Sequence, residues 1–245
     1  MKRRILVYPP GHPYLVAVYI TVAVVISLFA SSALASIIAE LGGFGSLPLS
    51  YLVSYLILLS PPLSFVNIAL AMLRTGYAEQ VLEMDYVVIF GIPVPIPRVR
   101  LVERKSILAI NVGGGLIPIT ASLILAYVLW RGGGVYALYV TIAAVAVTAL
   151  VTYLTSRAIP GVGIAVPALF PPLTSSLVSI ALAGSGPLAA IAAYIGGSLG
   201  ALIGADVLRL ARDLDKLVAP VISIGGAGVF DGIFLSGVIA ALLAY

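Results

Sequence analysis

The chain has no cysteine, which removes disulfides and thiolate metal ligands and leaves the redox compartment unread. Its one histidine, His12, sits in a Pro/Gly-rich N-terminal stretch, so neither a Ser/His/Asp set nor a His/Cys metal spacing can be assembled. Amides are almost absent: Asn67, Asn111 and Gln80 are the full set. Charge is scarce as well, with 9% charged residues against 62% hydrophobic and a mean hydropathy of +1.20. That balance excludes an ordinary soluble domain. The glycine runs Gly113–Gly115 and Gly225–Gly228 lack a preceding soluble strand and a P-loop lysine, so no nucleotide fingerprint is present. No cofactor and no metal are therefore expected.

What is present is a series of long apolar runs. The pattern predicts an all-α polytopic membrane protein of about seven transmembrane helices: 14–39, 47–73, 106–130, 135–156, 161–183, 187–208 and 217–245. Each is near the 20 residues that cross a bilayer. Several are broken by Gly or Pro, at Pro61-Pro62, Asn111–Gly115, Pro167–Pro172 and Pro220–Gly228. The whole chain, 1–245, reads as a single bundle. The long polar connection 74–105 reads as a β-hairpin lying at the membrane surface, with Pro95 and Pro97 confining its second strand to an edge.

Twelve of the thirteen Lys and Arg residues fall in connections on one side of these spans, and Arg131 alone falls on the other. The positive-inside rule then predicts a multi-pass cell-membrane protein with the N-terminus cytoplasmic and the C-terminus outside. It also accounts for the basic excess, so nucleic acid is not an expected partner; the lipid bilayer is.

Asp206 and Asp231 are the acidic residues inside the predicted spans. Ionisable groups in hydrocarbon are costly and usually functional. Asp206 lies near the cytoplasmic end of the sixth span. Asp231 follows Pro220 and the glycines, where a loop or re-entrant turn would put it in the first turn of the helix that follows. A plainer role for Asp206 is an ion pair with Arg209 or Arg212. Asp213 and Asp215, among Arg212 and Lys216, read as a solvated linker. Asn67, Asn111 with its glycines and Pro167-Ala168-Leu169 are predicted at the same level, around a cavity open to the cytoplasm.

The stretch Ser223–Gly237, with Ile203-Gly204-Ala205-Asp206 and Asn111–Gly115, resembles an uncharacterised prokaryotic membrane family, domain of unknown function 1614. A second resemblance is to presenilin-like intramembrane aspartyl proteases. Gly228-Val229-Phe230-Asp231 is similar to their Gly-x-Gly-Asp motif, with Phe230 in place of the second glycine, and Pro167-Ala168-Leu169 is similar to their Pro-Ala-Leu motif, here ahead of the aspartates. This likeness implies a catalytic pair, Asp206 and Asp231, supported by Asn111, Gly228, Pro167, Ala168 and Leu169, with a transmembrane peptide as substrate. The residues equally fit a proton- or cation-coupled transporter, with a cation as partner, or a non-enzymatic membrane protein. The separation of the two carboxylates distinguishes the first from the rest.

Overall fold

The computed structural model describes residues 4–7, 12–89, 92–160, 163–217, 219–226 and 232–245. Gly228 and Asp231 lie outside these residues. Helix α1 (Pro13–Gly42) turns at Gly43, where φ is 60°, into α2 (Leu47–Leu63). Ser54 of α2 donates its hydroxyl to the Ser31 carbonyl of α1, joining the two. Pro61 and Pro62 remove two amide donors at the end of α2, and the helix stops at Leu63.

The chain then becomes extended. Strands β2 (Val66–Ile89) and β3 (Ile92–Asn111) form a long antiparallel ribbon with bulges between Ala69 and Ala71 and between Met72 and Gly76. At its base β1 (Ile5–Val7) pairs antiparallel with β2, and β6 (Val221–Ile224) pairs parallel with β3, giving the order β1-β2-β3-β6. This corrects the all-α expectation. The hairpin is not confined to 74–105, because the end of the expected second span and the start of the third are strands.

Beyond β3 a π-helical turn, Val112–Leu116, leads into α3 (Ile117–Thr155), which breaks at Gly134 with φ 63° and ψ −151°. Its two arms fold back on each other: Ser122 and Ala126 of the first share a groove with Thr141 and Val145 of the second. A two-stranded ladder, β4 (Arg157–Ile159) with β5 (Gly163–Ala165), precedes α4 (Phe170–Ala183). The Pro-rich stretch at 171–172 falls in the first turn of α4, where the missing N–H groups are unneeded. The expected fifth span is therefore helical only in its second part.

Helix α5 (Pro187–Ala201), which runs on through a π-helical stretch into the short α6 (Leu210–Asp213), is the centre of the bundle, packing on α3, α4 and α7 (Gly232–Ala244). A helix apolar on all sides must be buried on all sides, and α5 has small residues wherever neighbours come closest. A Cβ on Gly197 would meet the Ser236 carbonyl oxygen at 2.7 Å, and one on Gly200 the Thr148 Cβ at 2.6 Å. Leu34, Ile38, Val53, Ile57, Leu125, Leu129, Ile191 and Tyr194 fill the main core.

Among the described residues three helices are long and apolar enough to cross a membrane, in 16–42, 112–155 and 187–216. The most apolar window of the last is 83% buried in protein, whereas those of the first two are only 33% buried. Phe29, Leu28, Ile142 and Leu154 are among the large apolar side chains more than half exposed. Such surfaces need lipid as solvent, and the protein is a membrane protein. The remaining apolar helices, Leu47–Leu63, Phe170–Ala183 and Gly232–Ala244, are shorter, with 17, 14 and 13 residues.

Candidate functional site

Asp206 lies in a π-helical stretch, Leu202–Arg209, that continues α5. π-Helical geometry is rare and concentrates at functional sites; here it also brings the chain past the end of β6. The backbone of Gly225, at φ 86°, donates its N–H to Asp206 Oδ2 at 2.6 Å. Glycine is needed at 225 on two counts. The positive φ disfavours a side chain, and a Cβ would meet the Gly115 N at 2.5 Å and its Cα at 2.6 Å. The two glycine runs, remote in sequence, are thus pressed together beside the carboxylate.

Asp206 lines a small cavity of about 90 Å³ shared with Gly163, Ile164, Leu210, Ser223 and Gly226, among others. The ion-pair role read for Asp206 is not the one observed. Arg209 Nε lies 2.6 Å from Asp213 Oδ2, an ion-pair contact whose angle falls outside hydrogen-bond geometry. Arg212 instead donates to the Tyr153 hydroxyl at 2.8 Å. Asp213 is not a solvated linker residue either: it is 2% exposed, and Lys216 Nζ donates to its Oδ1 at 2.6 Å. Its two cations compensate a burial that a lone carboxylate would not tolerate.

A second polar node sits at the base of the ribbon, where Asn67 and Asn111 face each other across β2 and β3. Asn111 Nδ2 donates to the Ser64 carbonyl at 2.6 Å and to Asn67 Oδ1 at 3.1 Å, and its Oδ1 accepts the Gly114 N–H at 2.8 Å. Ser223 of β6 donates to Asn67 Oδ1 at 2.6 Å, and Ser60 donates to the Gly113 carbonyl at 2.9 Å. Asn67 and Asn111 are both essentially inaccessible. The node ties the end of α2, the ribbon, the π turn and β6 into one unit. Ser223 belongs both to the node and to the cavity lining, so it links Asn111 to Asp206 although Asn111 does not itself line the cavity.

Pro167, Ala168 and Leu169 form the turn before α4, with the Phe170 N–H donating to the Pro167 carbonyl. Leu169 is 63% exposed, and the cavity is lined on that side by Gly163 and Ile164 instead. Sequence reasoning passed over Gly163, Ile164, Ser64 and Ser223. Single serines and aliphatic residues in apolar runs carry no distinguishing signal, whereas the rarity of amides marked Asn67 and Asn111. Among the described residues no group of three His, Asp or Glu side chains could hold a metal ion.

Neither the curated proteins nor the solved structures contain a match to this chain. A family model does match, the one described as Protein of unknown function (DUF1614), over residues 62–243. The match begins at the end of α2 and takes in the ribbon, the polar node, Asp206 and α7; the chain belongs to that family.

Proposed function

We propose that this membrane protein is an intramembrane aspartyl peptidase whose catalytic pair is Asp206 and Asp231. The observation that carries the reading is the packing on both sides of Asp231. Gly225, on one flank, donates to the Asp206 carboxylate at 2.6 Å. Ile233, on the other, packs with Ala201 and Leu202, about one helical turn before Asp206. Both flanks therefore meet the stretch of chain that carries the first aspartate. Two carboxylates at contact distance in a poorly solvated site share one proton, because both cannot ionise there. The ionised one would take a proton from water as its oxygen attacks the scissile carbonyl. The protonated one would donate to the carbonyl oxygen, and collapse of the tetrahedral species would transfer a proton to the departing amine. Strand β6 supports the substrate side of this reading: among the described residues it is the last strand of its sheet, and it borders the cavity, so an unwound peptide could add to its outer edge.

In this reading the chain crosses the bilayer seven times, with the two arms of α3 counted separately, the N-terminus cytoplasmic and the pair opening toward the cytoplasm. The one-sided distribution of Lys and Arg supports that orientation. The test is incubation of purified protein with a transmembrane peptide. Cleavage that is blocked by transition-state analogues of aspartyl proteases, and lost in both Asp206→Asn and Asp231→Asn, is expected.

A second reading, a proton- or cation-coupled transporter, draws on a different observation. Ser236 keeps a buried hydroxyl without a hydrogen-bond partner on α7, and Tyr194 and Ser198 set two more buried hydroxyls beside each other on α5, the helices next to the aspartates in sequence. Cation- or pH-dependent uptake by liposomes holding the protein, abolished by Asp206→Asn and with no peptide cleavage, would select it.

A further inference from the structure

Beyond its base the β2–β3 ribbon runs on as two strands with distinct faces. Cross-strand partners share a face, and the register pairs Leu82 with Val99, Met84 with Pro97 and Tyr86 with Pro95. That face is apolar, and Leu82, Met84, Tyr86 and Val99 are 62–68% exposed. The opposite face carries the charges: Arg98 Nη1 lies 3.0 Å from Asp85 Oδ2, and Arg100 Nη1 lies 3.1 Å from Glu83 Oε2. A ribbon with one apolar and one charged face is built to lie against something.

We infer that the apolar face of the ribbon docks on the lipid surface of the same membrane that holds the bundle. Three observations select lipid as the occupant. First, both ends of the ribbon are fixed to the bundle, since β2 starts at Val66 just after α2 ends at Leu63, and β3 runs through the π turn into α3. The ribbon therefore cannot leave the vicinity of the bilayer. Second, the root of the ribbon also exposes apolar side chains, with Ile5, Val7, Leu70 and Met72 52–62% exposed where the ribbon joins the bundle. Third, the charged face is neutralised within itself, so it suits water and offers no like-charged patch to nucleic acid or an acidic partner. Pro95 and Pro97 leave the open edge of β3 without amide donors at alternate positions. That disfavours another copy adding edge to edge. Because apolar area and not net charge drives docking, zwitterionic phosphatidylcholine suffices and added salt does not release the ribbon.

The absence of cysteine makes the test direct. The full chain carrying a single Leu82→Cys, Met84→Cys or Val99→Cys substitution is spin-labelled and reconstituted in phosphatidylcholine vesicles, with Val81→Cys and Arg100→Cys as positions on the opposite face. Lipid docking predicts that the ratio of oxygen to nickel-chelate accessibility alternates residue by residue, high at 82, 84 and 99 and low at 81 and 100, and that it is unchanged in 0.5 M salt, on the order of a 4 Å screening length. Uniformly nickel-accessible labels at all five positions would show the ribbon free in water and overturn the inference. Labels at 82, 84 and 99 shielded from both reagents, with dipolar broadening that disappears on dilution with unlabelled protein, would overturn it in favour of a second copy as the cover.

Discussion

Replacing Asn111 by Ala tests the polar node most directly, because that one side chain makes three hydrogen bonds in a site with no access to water. Truncation orphans the Gly114 N–H and frees the Ser64 carbonyl, while Asn67 Oδ1 keeps its bond from Ser223. Each buried group left without a partner costs roughly 1–3 kcal/mol. Two such groups give about 2–4 kcal/mol once partial relaxation is allowed for. For a chain of this size that lowers the melting temperature by about 5–15 °C. The assay is thermal unfolding of detergent-solubilised protein at one fixed scan rate, since unfolding of such proteins is often irreversible. Ser64→Ala is the matched control. It removes a hydroxyl that bonds only the Ser60 carbonyl one turn back in the helix, and should cost under about 1 kcal/mol. Asn111→Asp sharpens the test. It keeps an acceptor for Gly114 but puts a negative charge opposite the Ser64 carbonyl and Asn67 Oδ1, so it should be at least as damaging as Ala. If Asn111→Ala melts within about 0.5 kcal/mol of the parent protein, the node is not what holds the ribbon to the bundle.

Gly113→Ala should prevent assembly of the π turn, because the new Cβ would lie 2.1 Å from the Ser60 carbonyl oxygen and 2.5 Å from the Ser64 N, backbone atoms that cannot swing aside; yield of folded protein by size exclusion reads this out. Asp213→Ala should lower the melting temperature in the same assay, since it leaves Arg209 and Lys216 without the carboxylate they share. Arg100→Ala, breaking an ion pair whose side chains are 73% and 59% exposed, should move the melt by under about 0.5 kcal/mol. The Tyr245 hydroxyl donates to Glu40 Oε2 at 2.6 Å, and the bond to that carboxylate raises the phenol above its ordinary value of about 10. The folded state thus holds this proton more tightly, and the stabilisation is present below pH ~10 and lost as pH rises through the raised value. Tyr245→Phe should flatten that alkaline loss of stability.

Much of this arrangement can be read from residues, and the rest fails for identifiable reasons. The turn at Gly134, the break before α7 and the hairpin around residue 91 are marked by glycine and proline, whose backbone preferences act locally. The strands at the base of the ribbon are not marked. Ile68–Leu73 and Ile107–Ile110 are short continuous apolar runs, and periodicity cannot separate a strand from a helix in runs of that length. What decides them is long-range pairing with β1 and β6, which no local pattern reveals. The same holds for Asp206. A carboxylate three residues from Arg209 invites an ion pair, yet Arg209 lies four residues before Asp213, one helical turn away on the same face, and pairs there. Asn111 was legible through rarity, since an amide flanked by glycines in an apolar run has to satisfy several hydrogen-bonding groups. Its partners Ser64 and Ser223 come from other elements and carried no such mark.

The sheet also follows a rule set by the membrane. Hydrocarbon offers no hydrogen bonds, so extended backbone survives at depth only where it is buried in protein or lines a water-filled cavity. At its base, where Asn67, Ala69, Ala109 and Asn111 are buried, β1 covers β2 at residues 66–68 and β6 covers β3 at 107–110. Past the bulge between Met72 and Gly76 the two flanking strands have ended, and among the described residues no strand pairs with either edge of the ribbon through to residues 89 and 92. A two-stranded ribbon without flanking strands does not suit the hydrocarbon, so in the proposed seven-span reading the part past the bulge lies outside the bilayer core. Asp206, Ser223 and the touching glycine pairs lie beside the four-stranded base. The base is what allows an extended segment, β6, to run beside a carboxylate within a helical membrane protein. In a purely helical bundle the backbone N–H of residue 225 would be tied up within its own helix and could not reach Asp206.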